Sequence, residues 1–292
     1  MTDWNKIAVH ISTVTGSDFK PQRPSTVGGG CINSSVLLSD GEQRYFVKLN
    51  DLQMLNMFEA EQAGLAALAA TDTLRIPQPI CSGTAGGDAY LAMEYIPLSG
   101  GGDSEAAGRL LASLHQNTHE QFGWERDNII GATHQPNTLT DDWIDFWRSQ
   151  RLGFQLELAA KNGYRGELQH RGELLLEQFP ALIDHQPVAS LIHGDLWGGN
   201  LAYDSNGQPV IFDPAVYYAD REAELAMTEL FGGFNNRFYD AYNEVWPLDS
   251  NYRQRKILYN LYHIINHLNL FGGSYQSQAL GMINRLLADL GG

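Results

Sequence analysis

The sequence predicts an α+β fold of two lobes: a small N-terminal lobe built on an antiparallel sheet, and a larger, mainly helical C-terminal lobe. Three observations predict it. Residues 25–50 and 90–96 read as strands, with a turn at Ser39-Asp40-Gly41-Glu42 inside the first run. Pro97-Leu98-Ser99-Gly100-Gly101-Gly102 then interrupts the chain as a flexible break. Beyond it, apolar residues recur at helical spacing in most segments. The boundary falls at this break, giving lobes of residues 1–97 and 98–292.

Taken in order, residues 3–14 suggest a short helix of ambiguous period. Ser25–Leu38 holds strands around Gly28-Gly29-Gly30-Cys31, and Arg44-Tyr45-Phe46-Val47-Lys48-Leu49 is the next strand. Residues 55–70 are alanine-rich, with Leu55, Phe58, Gln62, Leu65 and Leu68 on one helical face and Glu61 beside it. Tyr90–Ile96 is a buried strand. Helices are expected at 103–118, 141–161, 168–179, 217–231, 237–246, 249–272 and 276–290. Residues 120–140 lack a period and read as a loop insertion with substrate contacts, and Trp143 and Arg151 beyond it could face a cleft. His115 reads as a packing or capping residue. His263 and His267 stand four apart without the glutamate of a two-histidine metal motif, and read as interior hydrogen-bonded histidines. Asp220, Arg221, Glu222 and Glu224 read as a structural ion network at a helix start.

The bulk numbers limit the function. A net charge of −15 argues against nucleic-acid and anionic-membrane partners, because a phosphate backbone would be repelled. Two cysteines form neither a zinc site nor a disulfide scaffold. The N-terminus lacks the pattern of a signal peptide and no apolar run is long enough to span a membrane, so the cytoplasm is the expected compartment.

The chemistry concentrates in residues 188–215. Val188–Ile192 and Pro209–Phe212 read as two short strands of a hairpin-like unit, each with polar residues at its exit. The first exit is His193-Gly194-Asp195-Leu196-Trp197-Gly198-Gly199-Asn200, and the second is Asp213-Pro214-Ala215. Two carboxylates and one amide in this order suit phosphoryl transfer. One carboxylate orients the attacking hydroxyl, while the amide and the second carboxylate hold Mg²⁺ on a nucleotide. Upstream, Gly28, Gly29 and Gly30 would let backbone approach phosphates, and Lys48 would pair with them. The main chain at Met93, Glu94 and Ile96 would bond an adenine edge.

The motifs HGDLWGGN and IFDPA, with GGGCINSS, MFEAEQAGL, LAMEYI, FGWERDNIIG and DREAELAM, resemble the fructosamine kinase (ketosamine 3-kinase) family, relatives of aminoglycoside and choline kinases. The resemblance runs from about Val27 to the C-terminal helices. It implies a bilobal protein-kinase-like fold and transfer of the ATP γ-phosphate to the O3 hydroxyl of a ketoamine, free or protein-bound. It implies that Lys48 holds the α- and β-phosphates, Glu61 positions Lys48, Asp195 faces the hydroxyl, and Asn200 and Asp213 bind Mg²⁺. Pro214-Ala215 replaces the Phe-Gly of protein kinases and Gly194 replaces an Arg, so no activation switch is expected. Another small-alcohol acceptor, such as an aminoglycoside or choline, is the alternative; a catalytically silent nucleotide-binding protein is a third reading. Cys31, near Lys48, suggests a thiol prone to oxidation, so the chain is expected as a monomer or as a redox-dependent dimer through Cys31.

Overall fold

The structure is a computed structural model and describes residues 1–28 and 33–291. In chain order its elements begin with α1 (Trp4–Thr15), β1 (Ser25–Thr26), β2 (Ser34–Ser39), β3 (Arg44–Asp51), α2 (Leu55–Ala69), β4 (Pro79–Ala85), β5 (Asp88–Glu94) and β6 (Leu98–Ser99). They continue with α3 (Ser104–His115), β7 (Asn128–Ile130), β8 (Thr133–Gln135), α4 (Trp143–Phe146), a π-helical turn (Trp147–Leu152), α5 (Gly153–Lys161) and α6 (Glu167–Gln178). Last come β9 (Ala189–Ile192), β10 (Leu201–Asp204), β11 (Pro209–Ile211), β12 (Tyr217–Asp220), α7 (Arg221–Leu230), α8 (Asn236–Val245), α9 (Tyr252–Phe271) and α10 (Tyr275–Asp289).

Two compact units emerge. The first comprises Met1–Asp103 with Leu201–Pro214, and the second Ser104–Asn200 with Ala215–Gly292. The expected boundary lay at Pro97. The stretch after it carries β6, which pairs antiparallel with β10 and so ties Leu98–Ser99 to the first unit.

The first unit is a five-stranded antiparallel sheet in the order β1-β2-β3-β5-β4. Side chains alternate across a strand, and β3 shows what that does here. Val47 and Leu49 enter a core with Ile7, Ala8 and Ile11 of α1, Phe19, Leu38 and Tyr90. Lys48, between them in sequence, points to the other face. There it meets α2, whose buried stripe is Phe58, Ala60, Gly64, Leu65 and Leu68.

The second unit is mainly helical, with two small antiparallel ladders, β9 with β12 and β7 with β8. Helix α9 is buried nearly all round from Leu258 to Asn266, as befits a helix at the centre of a core. Trp143 stacks on Phe146 and packs against Trp147, and both tryptophans meet its Tyr259 edge-on.

Three expectations change. The strand at 188–192 does not pair with 209–212; β9 pairs with β12, and β11 pairs with β10 across the Asp204–Gly207 turn. The short apolar run Leu201–Tyr203 is the missing strand. The helix expected from Tyr217 begins at Arg221, because Tyr217–Asp220 is β12 and the Asp220 carboxylate caps α7 through the Glu222 N–H. Residues 120–140 carry the β7–β8 hairpin rather than loop alone.

Candidate active site

In the first unit, three expected residues meet. Lys48 Nζ donates to Glu61 Oε1 at 2.5 Å and to Asp213 Oδ1 at 2.5 Å. β3 supplies the lysine, α2 the glutamate, and the segment after β11 the aspartate. Asp213 has φ +60°, a left-handed backbone that non-glycine residues rarely adopt, which marks a special site. Lys48 is buried, and burial alone would pull its ammonium down; the Glu61 and Asp213 charges outweigh that and hold it protonated, above its ordinary value. Burial pushes Glu61 up, Lys48 opposes this, and Asp213 adds to it. Two acids thus share one cation, an arrangement suited to accept a further cation or to release Lys48 toward an anion.

Gly28 is exposed, with open space around it. Gly29, Gly30 and Cys31 lie outside the described residues. At the end of β5, Met93 and Ile96 are buried. Glu94 donates its N–H to Gln78 O at 2.8 Å and takes Arg75 Nη2 on its carboxylate at 2.6 Å. Both its carboxylate and its main-chain N–H are therefore engaged within the first unit.

In the second unit, β9 delivers His193–Asn200. Asp195 is half-buried, and Asn200 is buried with its Nδ2 donating to Asp195 O at 2.8 Å. That bond fixes the amide so that its carbonyl oxygen is the group it can offer a cation. Asn200 and Asp213 each carry a hard oxygen donor of the type Mg²⁺ selects. Their chemistry therefore fits the ion, each within its own unit.

The sequence left Arg151 and Trp143 able to face a cleft, and the structure buries both. Arg151 is fully buried, donates to Pro136 O and Asn137 Oδ1, and lies 3.9 Å from the Tyr217 ring centre. Trp143 is buried and donates to Tyr259 Oη at 3.1 Å. Both are core residues: Trp143 is buried from α4, and Arg151 lies within the π-helical turn that follows it. His267 packs among Phe231, Phe271 and Tyr275, and its buried Nδ1 has no hydrogen-bond partner among the described residues; the hydrogen-bonded interior histidine expected there is an aromatic-packed one.

One further group has metal-like spacing: His185, Asp220 and Glu222 hold ligand atoms within 4.8 Å of one another. Asp220 Oδ2 already accepts His185 Nε2 and Tyr259 Oη, while Glu222 accepts the Arg255 fork at 2.6 and 3.0 Å. This is a closed ion network, as its charge pattern suggested. Sequence reasoning also left Glu224 inside that network. Its carboxylate instead bonds the main chain at His193 and Gly194, a link between residues about thirty apart that no local spacing announces.

Comparison with known proteins completes the picture. Residues 3–289 match the fructosamine kinase family model. A probable ketoamine kinase of Synechocystis sp. is 50% identical over 287 residues, 97% of each chain. The chloroplastic protein-ribulosamine 3-kinase of Arabidopsis thaliana is 42% identical over 267 residues, 90% of this chain and 82% of its own. A crystal structure from Haemophilus somnus, named for fructosamine-3-kinase, superposes with a TM-score of 0.90 at 28% identity, covering 98% of each chain. Aminoglycoside and choline kinase structures share the fold at 13% identity. The chain therefore belongs to the fructosamine kinase family, and it is a phosphotransferase with the protein-kinase-like fold.

Proposed function

We propose that this protein uses Mg²⁺ and ATP to phosphorylate the O3 hydroxyl of a ketoamine, a sugar–amine adduct, as a step in deglycation repair. The observation that carries the reading is the buried Lys48 shared by Glu61 and Asp213. A lysine ammonium held between two acids on a strand next to a glycine-bearing loop is the arrangement that grips nucleotide phosphates. Family membership supplies the acceptor class, and the relative named for protein-bound ribulosamine extends it to ketoamines carried on proteins.

The roles are those that the family resemblance assigns to these residues. Lys48 holds the α- and β-phosphates, with Glu61 fixing its ammonium. The glycines at 28–30 and the main chain of Met93, Glu94 and Ile96 cradle the nucleotide. Asp195 orients the acceptor hydroxyl and takes its proton as the O3–P bond forms and the bond from the γ-phosphorus to the leaving ADP oxygen breaks. Asn200 and Asp213 hold the metal through oxygen. A Mg²⁺ ion held by those two residues would supply neutralisation of the charge that develops on the nucleotide phosphates. Positioning does most of the catalysis in such a loose transition state.

Among the described residues no helix is long and apolar enough to cross a membrane. A cytoplasmic setting supplies ATP and fits the acidic composition. The redox-dependent dimer through Cys31 is read on a non-reducing gel with and without peroxide; a chain that stays monomeric and active ends that part of the proposal.

The test is ATP consumption against a panel of fructosamines, ribulosamines, glycated protein, aminoglycosides and choline, with Asp195→Ala as control. Turnover confined to ketoamines supports the reading. Turnover only on an aminoglycoside or choline replaces it with the small-alcohol alternative.

A further inference from the structure

The residues just ahead of Asp195 are held at two edges. β9 ends at Ile192, and the next two N–H groups both point at one carboxylate. His193 N donates to Glu224 Oε2 at 2.8 Å, and Gly194 N donates to Glu224 Oε1 at 2.8 Å. On the other edge, His193 O accepts Ala215 N at 2.8 Å. Gly194 sits at φ +82°, and a Cβ there would lie 2.1 Å from Ala215 O, so only glycine fits the grip.

Glu224 is itself held. Its Oε2 also bonds His115 Nε2 at 3.1 Å, and His115 Nδ1 bonds the Tyr242 hydroxyl at 2.8 Å. That hydroxyl accepts from Arg221 Nη1 at 2.9 Å. The ionised Glu224 carboxylate can only accept, so His115 carries a proton on Nε2 and donates it there. In the neutral imidazole, which burial favours, Nδ1 accepts the Tyr242 proton while Arg221 donates to the Tyr242 oxygen. Burial pulls His115 below its ordinary value, which agrees. Burial pushes Glu224 up, but its bonds to His115 and His193 bring it below the usual carboxylate range, so it stays ionised. All four of these side chains are buried.

We infer that Glu224 is a positioning residue of the phosphoryl-transfer step: it fixes the His193–Gly194 main chain, and through it the placement of the Asp195 carboxylate, with His115, Tyr242 and Arg221 locking Glu224 in turn. The inference rests on the catalytic role proposed for Asp195. It gives the DREAELAM motif a part in catalysis beyond the ion network of Asp220 and Glu222. The size of the effect follows from geometry, since a misplacement of about 1 Å at a reacting group costs on the order of 10²-fold in rate.

The test is Glu224→Gln. It preserves shape, but whichever way the amide turns, its NH₂ faces an N–H: that of Gly194 on one side, or those of His193 and His115 on the other. The expected result is a kcat on the order of 10²-fold lower, with KM for ATP and acceptor within about threefold and an unchanged circular dichroism spectrum. In an Asp195→Asn background, Glu224→Gln should cost no more than about threefold further, because the two act through one group. His115→Phe, which removes one donor, is expected to lower kcat about tenfold with the same KM pattern, and it carries the test if Glu224→Gln does not fold. A kcat within twofold of wild type in the folded variants overturns the inference. So does a loss that appears in KM alone, or one that multiplies in full with Asp195→Asn. The assay uses whichever acceptor the wild type phosphorylates. A wild type inert on ketoamines but active on another alcohol would count against the proposed acceptor and leave this test intact.

Discussion

Lys48 Nζ lies 2.5 Å from Glu61 Oε1, on the face of β3 opposite the core that takes Val47 and Leu49. The alternation of one strand thus separates packing from chemistry. Removing the lysine leaves Glu61, whose side chain is only 11% exposed, without its counter-charge, and breaking a buried pair from one side costs up to about 3–5 kcal/mol. Lys48→Met is expected to lower the unfolding midpoint and to reduce kcat/KM for ATP by at least about 10²-fold. Thermal unfolding and steady-state kinetics read both. An unchanged ATP dependence would remove Lys48 from the nucleotide site.

Asp213 shares that lysine through Oδ1, and the metal role proposed for it falls to the carboxylate's other oxygen. Asp213→Ala is expected to abolish the Mg²⁺-dependent part of nucleotide affinity, and chelation of the metal should do the same to the wild type. Calorimetric titration of ATP with and without Mg²⁺ distinguishes this from general damage. A variant that binds Mg·ATP as the wild type does contradicts the role.

Arg255 is fully buried and bonds Glu222, Asp249 and Asp184. Glu222 is buried as well, so Arg255→Leu strands its charge, at a cost of about 3–5 kcal/mol. Denaturant unfolding should show the loss, while kcat measured well below the midpoint stays near the wild-type value. Equal stability of variant and wild type would mean that the network is solvated.

Much of this was readable in advance. The order Lys48, Glu61, Asp195, Asn200, Asp213 is visible along the chain because the kinase pattern of this fold spaces those groups characteristically, and three of them, Lys48, Glu61 and Asp213, meet in the first unit. The lobes are visible because strand and helix periods differ. The pairing of β9 was not legible. Both Tyr217–Asp220 and Pro209–Phe212 are short runs able to pair with Val188–Ile192, and only tertiary packing selects the former. The inward roll of Arg151 was hidden by the π-helical turn, which adds a residue to the helical repeat and rotates everything after it. Glu224 was hidden because its partners are main-chain N–H groups, which every residue but proline possesses.

Acid should destabilise the fold through its buried histidines. Burial, then His267 and Arg151, pulls His263 from its ordinary 6.5 to about 3, and His115 moves the same way. Between about pH 6.5 and 3 the unfolded chain takes up a proton at His263 that the folded chain refuses. The stability is therefore complete above pH 6.5 and falls with pH, by at most roughly tenfold in the unfolding constant per pH unit for that group. His185, raised by Asp220 despite its burial, acts in the opposite sense and offsets part of this. The unfolding midpoint is expected to drop from pH 7 to pH 5, and His263→Phe to flatten the drop. Identical slopes in variant and wild type would show that His263 titrates alike in the folded and unfolded chains.

The central claim is that Asp195 faces the acceptor hydroxyl of a ketoamine. It is tested most directly by the turnover number of Asp195→Ala on a ketoamine that the wild type phosphorylates, measured beside the ATP affinity of the same variant. The account predicts turnover lower by several orders of magnitude with ATP still bound. Near-native turnover in that variant would contradict it.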